Sequence, residues 1–412
     1  MISNEEKELE RRLKKLEEGY KEKLFSKEVS YIGKKKNLPS PKENEPEKLY
    51  SYEEDYDDSY NDLNEADSVD ENPIVLNNEI ISKRASKRRS SLSSMEIKKC
   101  AEDISRIKKE ISKAVVGQED IVAGLIMGLI CNGHVLLEGV PGVAKTLAIR
   151  ALAASSGCSV KRIQFTVDML PTDIIGLTVY TPEKGFEVVK GPIFANFIIG
   201  DEINRAPPKT QSAMIEGMQE NQVTIGKEKY SLPEPFFVMA TENPIENAGV
   251  YPLPEAQIDR FLFKFIMDYP EEEDERNIME TNITLRRFEE FNLKPVVTPK
   301  RILEMQKNVK AVYLDDSIKS YILSIVRKTR EKIFKDEKNI AYGSSPRASI
   351  GLFIASKARA LMKGRDYVLP EDVKDVVFSV MRHRIILSYK AIIQRISPDA
   401  IIQEILDSVN VE

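Results

Sequence analysis

Residues 134–154 constrain this chain more than any other stretch. His134-Val135-Leu136-Leu137-Glu138 is an apolar run of strand length. Gly139-Val140-Pro141-Gly142-Val143-Ala144-Lys145-Thr146 is a glycine-bearing loop, and Leu147 opens a helix of small residues. A strand, a glycine loop ending in Lys-Thr and then a helix is the context in which such a loop binds phosphate. Its backbone N–H groups and the helix N-terminus cradle phosphates, Lys145 adds a point charge, and the Thr146 hydroxyl suits Mg²⁺. Ala144 stands where a glycine commonly precedes the lysine, which demands an ordinary backbone dihedral there. A plain Gly-Pro turn ahead of a core helix is the weaker alternative.

The rest of the chain supports a large α/β protein. At 412 residues it has room for two or three domains with substantial cores. A net charge of −5 argues against a globally basic nucleic-acid binder. Cys100, Cys131 and Cys158 match no zinc spacing or disulfide framework, which fits a reducing cytoplasm. With only His134 and His383, a histidine metal site is not expected. The start of the chain does not read as a signal peptide, and the apolar stretch 121–131 is about half a membrane span. It is a buried helix.

Composition divides the chain. Residues 1–95 form a charged extension, with a helical pattern over 1–24 supported by Glu8–Arg12, Glu10–Lys14 and Glu17–Lys21 pairs. The acidic segment 39–71 is expected to be disordered, and 83–90 is a basic, serine-rich linker. From 96 to 269 the pattern is α/β. Helices are expected at 96–114 and 119–131, with strands at 134–138, 161–165, 197–200, 236–240 and 261–267. Intervening helices argue for a mainly parallel sheet covered on both faces. Residues 270–412 read as helices throughout, a second, all-helical domain.

Polar residues gather at strand ends. The third strand runs into Asp201-Glu202, where Asp201 suits the Mg²⁺ shell and Glu202 suits proton abstraction from water. The fourth ends in Thr241-Glu242-Asn243, and the Asn243 amide suits orienting that water. A turn-forming asparagine before Pro244 is the competing reading. Arg260 precedes the fifth strand, where it suits a neighbouring subunit's phosphoryl-transfer site or a surface pair with Asp259. Ser345 is a candidate N-cap and Pro346 a first helical residue, which would project Arg347 from a helix start as a lid over the γ-phosphate.

Together these residues resemble the MoxR family of AAA+ ATPases from about 95 to 412. The resemblance rests on residues 133–142, on Gln164-Phe165-Thr166-Val167-Asp168-Met169-Leu170-Pro171 and on Gly191-Pro192-Ile193-Phe194. It rests equally on 201–211, on 251–261 and on His383-Arg384-Ile385. It implies an AAA+ P-loop domain with a five-stranded sheet and a helical lid domain. Lys145 and Thr146 become the Walker A pair, Asp201 and Glu202 the Walker B pair, and Asn243 sensor 1. Arg260 becomes the arginine finger and Arg347 sensor 2. Nucleotide contacts then run through Val116 and Gly117, the loop Gly139, Val140, Pro141, Gly142, Val143, Ala144, Lys145, Thr146, then Leu147 and Asp201. Thr146 and Asp201 hold the metal. Ala144 is usual in the family, whereas Glu242 stands where glutamine is usual.

The implied activity is Mg²⁺-dependent hydrolysis of ATP by a homohexamer. It would remodel a protein client with a von Willebrand factor A domain. Strand-turn-strand patterns at 178–189 and 222–232 look like the family's hairpin inserts. A nucleic-acid motor is the alternative, and the balanced hairpin charges (Lys184 and Lys190 against Glu183 and Glu187) give it weak support. A silent nucleotide-binding scaffold is opposed by the complete set of polar residues.

Overall fold

The computed structural model describes residues 81, 92–139, 145–243, 250–269, 271–281, 288–334 and 339–409. Expectations for residues 1–24, 39–71 and 83–90, and for loop positions 140–144, lie outside these residues.

Helix α1 (Ser94–Ile111) begins with a capping box. The Ser93 hydroxyl accepts from Glu96 N at 3.2 Å, and Glu96 accepts from Ser93 N at 2.9 Å. Helix α2 (Glu119–Ile130) is apolar all round and is the buried helix expected from its composition. There follow β1 (Val135–Gly139), α3 (Lys145–Ser156), β2 (Val160–Gln164), α4 (Pro171–Ile175), β3 (Gly176–Thr181), β4 (Gly185–Lys190) and β5 (Phe197–Asp201). The α/β part continues with α5 (Pro208–Glu220), β6 (Gln222–Ile225), β7 (Glu228–Ser231), β8 (Phe237–Glu242), α6 (Glu255–Ile258) and β9 (Phe263–Met267).

Five strands form one parallel sheet in the order β2-β5-β8-β1-β9. Their apolar runs are nearly continuous because both faces are covered. Alternate residues divide between two cores, as the two-residue strand period requires. Val135, Leu137, Phe197, Ile199, Phe237 and Met239 face one apolar cluster, while Leu136, Ile198, Val238 and Ala240 face the other. Helices α1, α2 and α3 supply the first cluster. The second is closed by α5 and the two hairpins, β3–β4 and β6–β7, both antiparallel. At the β3–β4 tip Tyr180 and Phe186 pack ring against ring at 5.2 Å and remain largely exposed.

Beyond the sheet come α7 (Glu272–Thr281), α8 (Pro299–Ala311), α9 (Asp316–Phe334), β10 (Ile340–Tyr342), α10 (Pro346–Met362), α11 (Pro370–Met381), β11 (Ile386–Leu387), α12 (Tyr389–Ile393) and α13 (Pro398–Ser408). The expectation of helices throughout needs one correction, because β10 and β11 pair antiparallel. Ile340 is the buried residue of that ladder, and Ser388 N bonds Asn339 O at 2.9 Å beside it. The pair brings the start of α10 beside the segment that follows α11. Buried residues of these helices, among them Ile302, Leu352 and Val380, belong to the same apolar cluster as Val135 and Phe237.

Candidate functional site

The strand ends divide the sequence-predicted residues into two groups. At the C-terminal edge, Gly139 closes β1 so tightly against β9 that a Cβ there would lie 2.5 Å from Met267 O. Lys145, the first residue of α3, donates to Gly139 O at 2.5 Å. Burial lowers the Lys145 pKa, while Asp201, Glu202 and Glu138 pull it back up. Thr146 Oγ1 donates to Asp201 Oδ2 at 3.3 Å, and Thr241 Oγ1 donates to Asp201 Oδ1 at 3.4 Å. Asp201 is buried at the end of β5, with Thr241 in the adjacent strand β8.

Glu202 follows with φ +58°, a left-handed conformation uncommon outside glycine. Its N–H donates to Thr241 Oγ1 at 2.9 Å. Its carboxylate accepts from Gln164 Nε2 at 2.7 Å and pairs with Arg205 Nε at 3.1 Å. Asn243 is buried just past β8. Thus Lys145, Thr146, Asp201, Glu202 and Asn243 share one edge. The carboxylate and hydroxyl oxygens of Asp201 and Thr146 form the hard oxygen pair that Mg²⁺ favours.

Val116 and Gly117 lie between α1 and α2. Gly117 has φ +71°, and a Cβ there would sit 2.6 Å from the Asp274 carboxylate of α7. The segment expected to meet adenine therefore packs closely under an acidic helix start, which the missing side chain of Gly117 allows.

The orientation of Glu242 follows from the pleat. It is registered beside Glu138, and Glu138 pairs with Lys264. These three share the sheet face opposite Thr241. Burial raises the Glu242 pKa, with Lys264 opposing and Glu138 reinforcing the shift.

Arg260 and Arg347 lie elsewhere. Arg260 falls between α6 and β9, and Leu262 N bonds His134 O at 2.9 Å, so it is at the N-terminal edge of the sheet. A five-residue strand separates the two edges by roughly 13 Å. The Arg260 Nε is buried without a hydrogen-bond partner among the described residues. The alternative of a pair with Asp259 is not what forms. Asp259 instead accepts from Ser345 Oγ at 2.9 Å, from Arg347 Nη1 at 3.4 Å and from Arg384 Nε at 2.9 Å. Ser345 caps α10 as expected, accepting from Arg347 N at 3.2 Å. Arg347 is expected as a lid over the γ-phosphate; its anchor Asp259 stands at the edge of the sheet opposite Lys145 and Asp201.

Several contacts were not anticipated from sequence. Arg162 Nε of β2 donates to Asp201 Oδ2 at 2.6 Å, the same oxygen that meets Thr146. Gln164 and Thr241 organise Glu202, and Gln211 Nε2 ties Ile203 O, Ala206 O and Tyr251 O together behind it. The signal for Arg162 and Gln164 was their alternation around Ile163 at a strand end. At the other edge Arg384 is almost fully buried, and burial draws its pKa down to about 10 against the opposing pull of Asp259.

Comparison with known proteins decides what this geometry belongs to. Residues 134–263 match the model of the ATPase family associated with various cellular activities, and 335–405 match the AAA lid domain. The chain is 45% identical over 306 residues to Chaperone MoxR1 of Mycobacterium tuberculosis, covering 73% of this chain and 80% of that protein. The chain belongs to the MoxR family of AAA+ ATPases. Protein MoxR of Methylorubrum extorquens is 32% identical, with 72% and 92% of the two chains covered. A crystal structure of a protein from Cytophaga hutchinsonii, provisionally assigned as an ATPase, superposes with a TM-score of 0.71 at 41% identity. That match covers 81% of this chain and 99% of the other. The MoxR fold accounts for the parallel sheet and the helical lid region. No helix among the described residues is long and apolar enough to cross a membrane.

Proposed function

We propose that the chain is a Mg²⁺-dependent ATPase that works as a homo-oligomeric ring, a hexamer, in the cytoplasm and remodels a protein client. The observation that carries this reading is the division of the site. Phosphate-facing and carboxylate groups occupy one edge of the sheet, and the two arginines that suit γ-phosphate charge occupy the other. One protomer then cannot complete its own site, and a neighbour's opposite edge supplies what is missing.

In this reading Lys145 and the glycine loop hold the phosphates, and Val116 and Gly117 meet the base. Thr146 and Asp201 would hold Mg²⁺, which when bound neutralises phosphate charge. Glu202 takes the proton of the attacking water, and Asn243 orients that water. Gln164 and Arg205 now occupy the Glu202 carboxylate, so base action requires these bonds to loosen. Arg260, whose Nε has no hydrogen-bond partner among the described residues, reaches the neighbour's γ-phosphate. Arg347 stands on the same edge and acts on the same neighbouring site. No covalent intermediate is needed, because positioning and charge stabilisation provide most of the catalysis.

The client reading follows the relatives: one is a chaperone by name, and family resemblance points to von Willebrand factor A domains. The test uses two variants. Glu202→Gln should bind ATP yet lose turnover, and Arg260→Ala should do the same, by about a thousandfold. Co-assembled, the two inactive chains should recover activity, because each supplies what the other lacks. Failure to recover, or full activity of Arg260→Ala alone, would overturn the divided site. Purification of the ATP-bound Glu202→Gln ring should bring down a client with a von Willebrand factor A domain.

A further inference from the structure

Arg384 reaches the backbone on both sides of Arg260. Its Nη2 donates to Asp259 O at 3.1 Å and to Phe261 O at 2.6 Å, and its Nη1 donates to Leu262 O at 3.1 Å. Its Nε meets the Asp259 side chain at 2.9 Å, and Nη1 also binds Val380 O. His383, the preceding residue, holds Phe261 O through Nε2 at 3.0 Å. A carbonyl only accepts, so that imidazole nitrogen carries the proton.

The loop that carries Arg260 therefore has little regular structure of its own. Turn bonds from Asp259 N to Glu255 O, Arg260 N to Gln257 O and Phe261 N to Ile258 O support it locally, and Leu262 N reaches His134 O. The expected strand over 261–267 begins instead at Phe263, because the carbonyls before it are taken by the guanidinium. A fork with five donors, buried to 3% side-chain exposure, substitutes for a ladder.

We infer that Arg384 is the positioning residue for Arg260, fixing the direction in which that side chain leaves its protomer. Asp259 extends the hold to α10 through Ser345 and Arg347, so the helical region and the reaching arginine move as one piece. This inference rests on the proposed shared site. A reacting group misplaced by about 1 Å can lose about a hundredfold in rate, which sets the expected effect.

The experiment uses the full-length chain, with phosphate release and binding of a fluorescent ATP analogue as readouts. Arg384→Gln should lower kcat about a hundredfold and leave analogue affinity within about twofold. Introduced into Arg260→Ala, it should add no further loss, since the two act as a unit. Co-assembly with Glu202→Gln should restore turnover to the same extent as it does for Arg260→Ala. Arg384→Lys, which keeps the charge but not the fork, should rescue poorly. If Arg384→Gln does not fold, Asp259→Asn replaces it, with a loss of roughly tenfold and the same recovery on co-assembly. The inference is overturned if kcat is unchanged, or if co-assembly restores Arg260→Ala but not the Arg384 or Asp259 variant. Failure of Arg260→Ala itself to recover would overturn the shared site.

Discussion

The two edges of the sheet solve opposite electrostatic problems. At the C-terminal edge Asp201 and Glu202 lie together and are covered by side chains from β2 and the turn after β5: Arg162, Gln164 and Arg205. Those partners are replaceable, because Arg162 and Arg205 are substantially exposed. At the N-terminal edge a single carboxylate, Asp259, collects Ser345, Arg347 and the buried Arg384. There the pairing is with backbone carbonyls as well, and the guanidinium of Arg384 is shut away from solvent, while Arg347 stays exposed. The first edge is arranged to exchange its partners; the second is arranged to keep them.

Three measurements test that contrast, beginning with the largest expected effect. Arg347→Ala should lower kcat by roughly ten- to a hundredfold, and co-assembly with Glu202→Gln should restore it. A loss that stayed with the chain holding the nucleotide would place Arg347 at the wrong edge. Arg162→Ala should reduce the Mg²⁺ concentration needed for tight binding of a fluorescent nucleotide, by roughly fivefold, because a competing cation has gone. A midpoint that stays put or rises would mean that Arg162 is not exchanged there.

The smallest effect concerns Glu242. Its carboxyl pKa is raised from 4.5, chiefly by burial, so the folded chain favours the protonated form. Stability is then greatest below 4.5 and declines as pH rises toward the raised value. Glu242→Gln should increase Tm at neutral pH by about 2 °C, and the gain should vanish near pH 4.5. A gain that persists unchanged in acid would show that packing, not charge, governs the position.

Much of the C-terminal edge was legible in sequence, since each polar residue there follows an apolar strand at short range. Lys145, Asp201, Glu202 and Asn243 are found by locating strand ends, which hydrophobic runs mark well. The N-terminal edge was harder. Asp259 and Arg384 are distant in the chain, and only folding reveals that one guanidinium serves four carbonyls. Proximity in sequence suggested Asp259 with Arg260, whereas the fold gives Asp259 to residues from the helical region. The β10–β11 ladder escaped for a similar reason: Ile386–Leu387 is too short to announce a strand without its partner.

That ladder has a mechanical consequence. It staples the chain just ahead of α10 to the chain just after α11, so the two roots of the Asp259 cluster share one fulcrum. A tilt of the helical region about this point would turn the loop bearing Arg260 like the short arm of a lever. In the proposed ring, such a turn would re-aim that arginine toward the adjoining protomer.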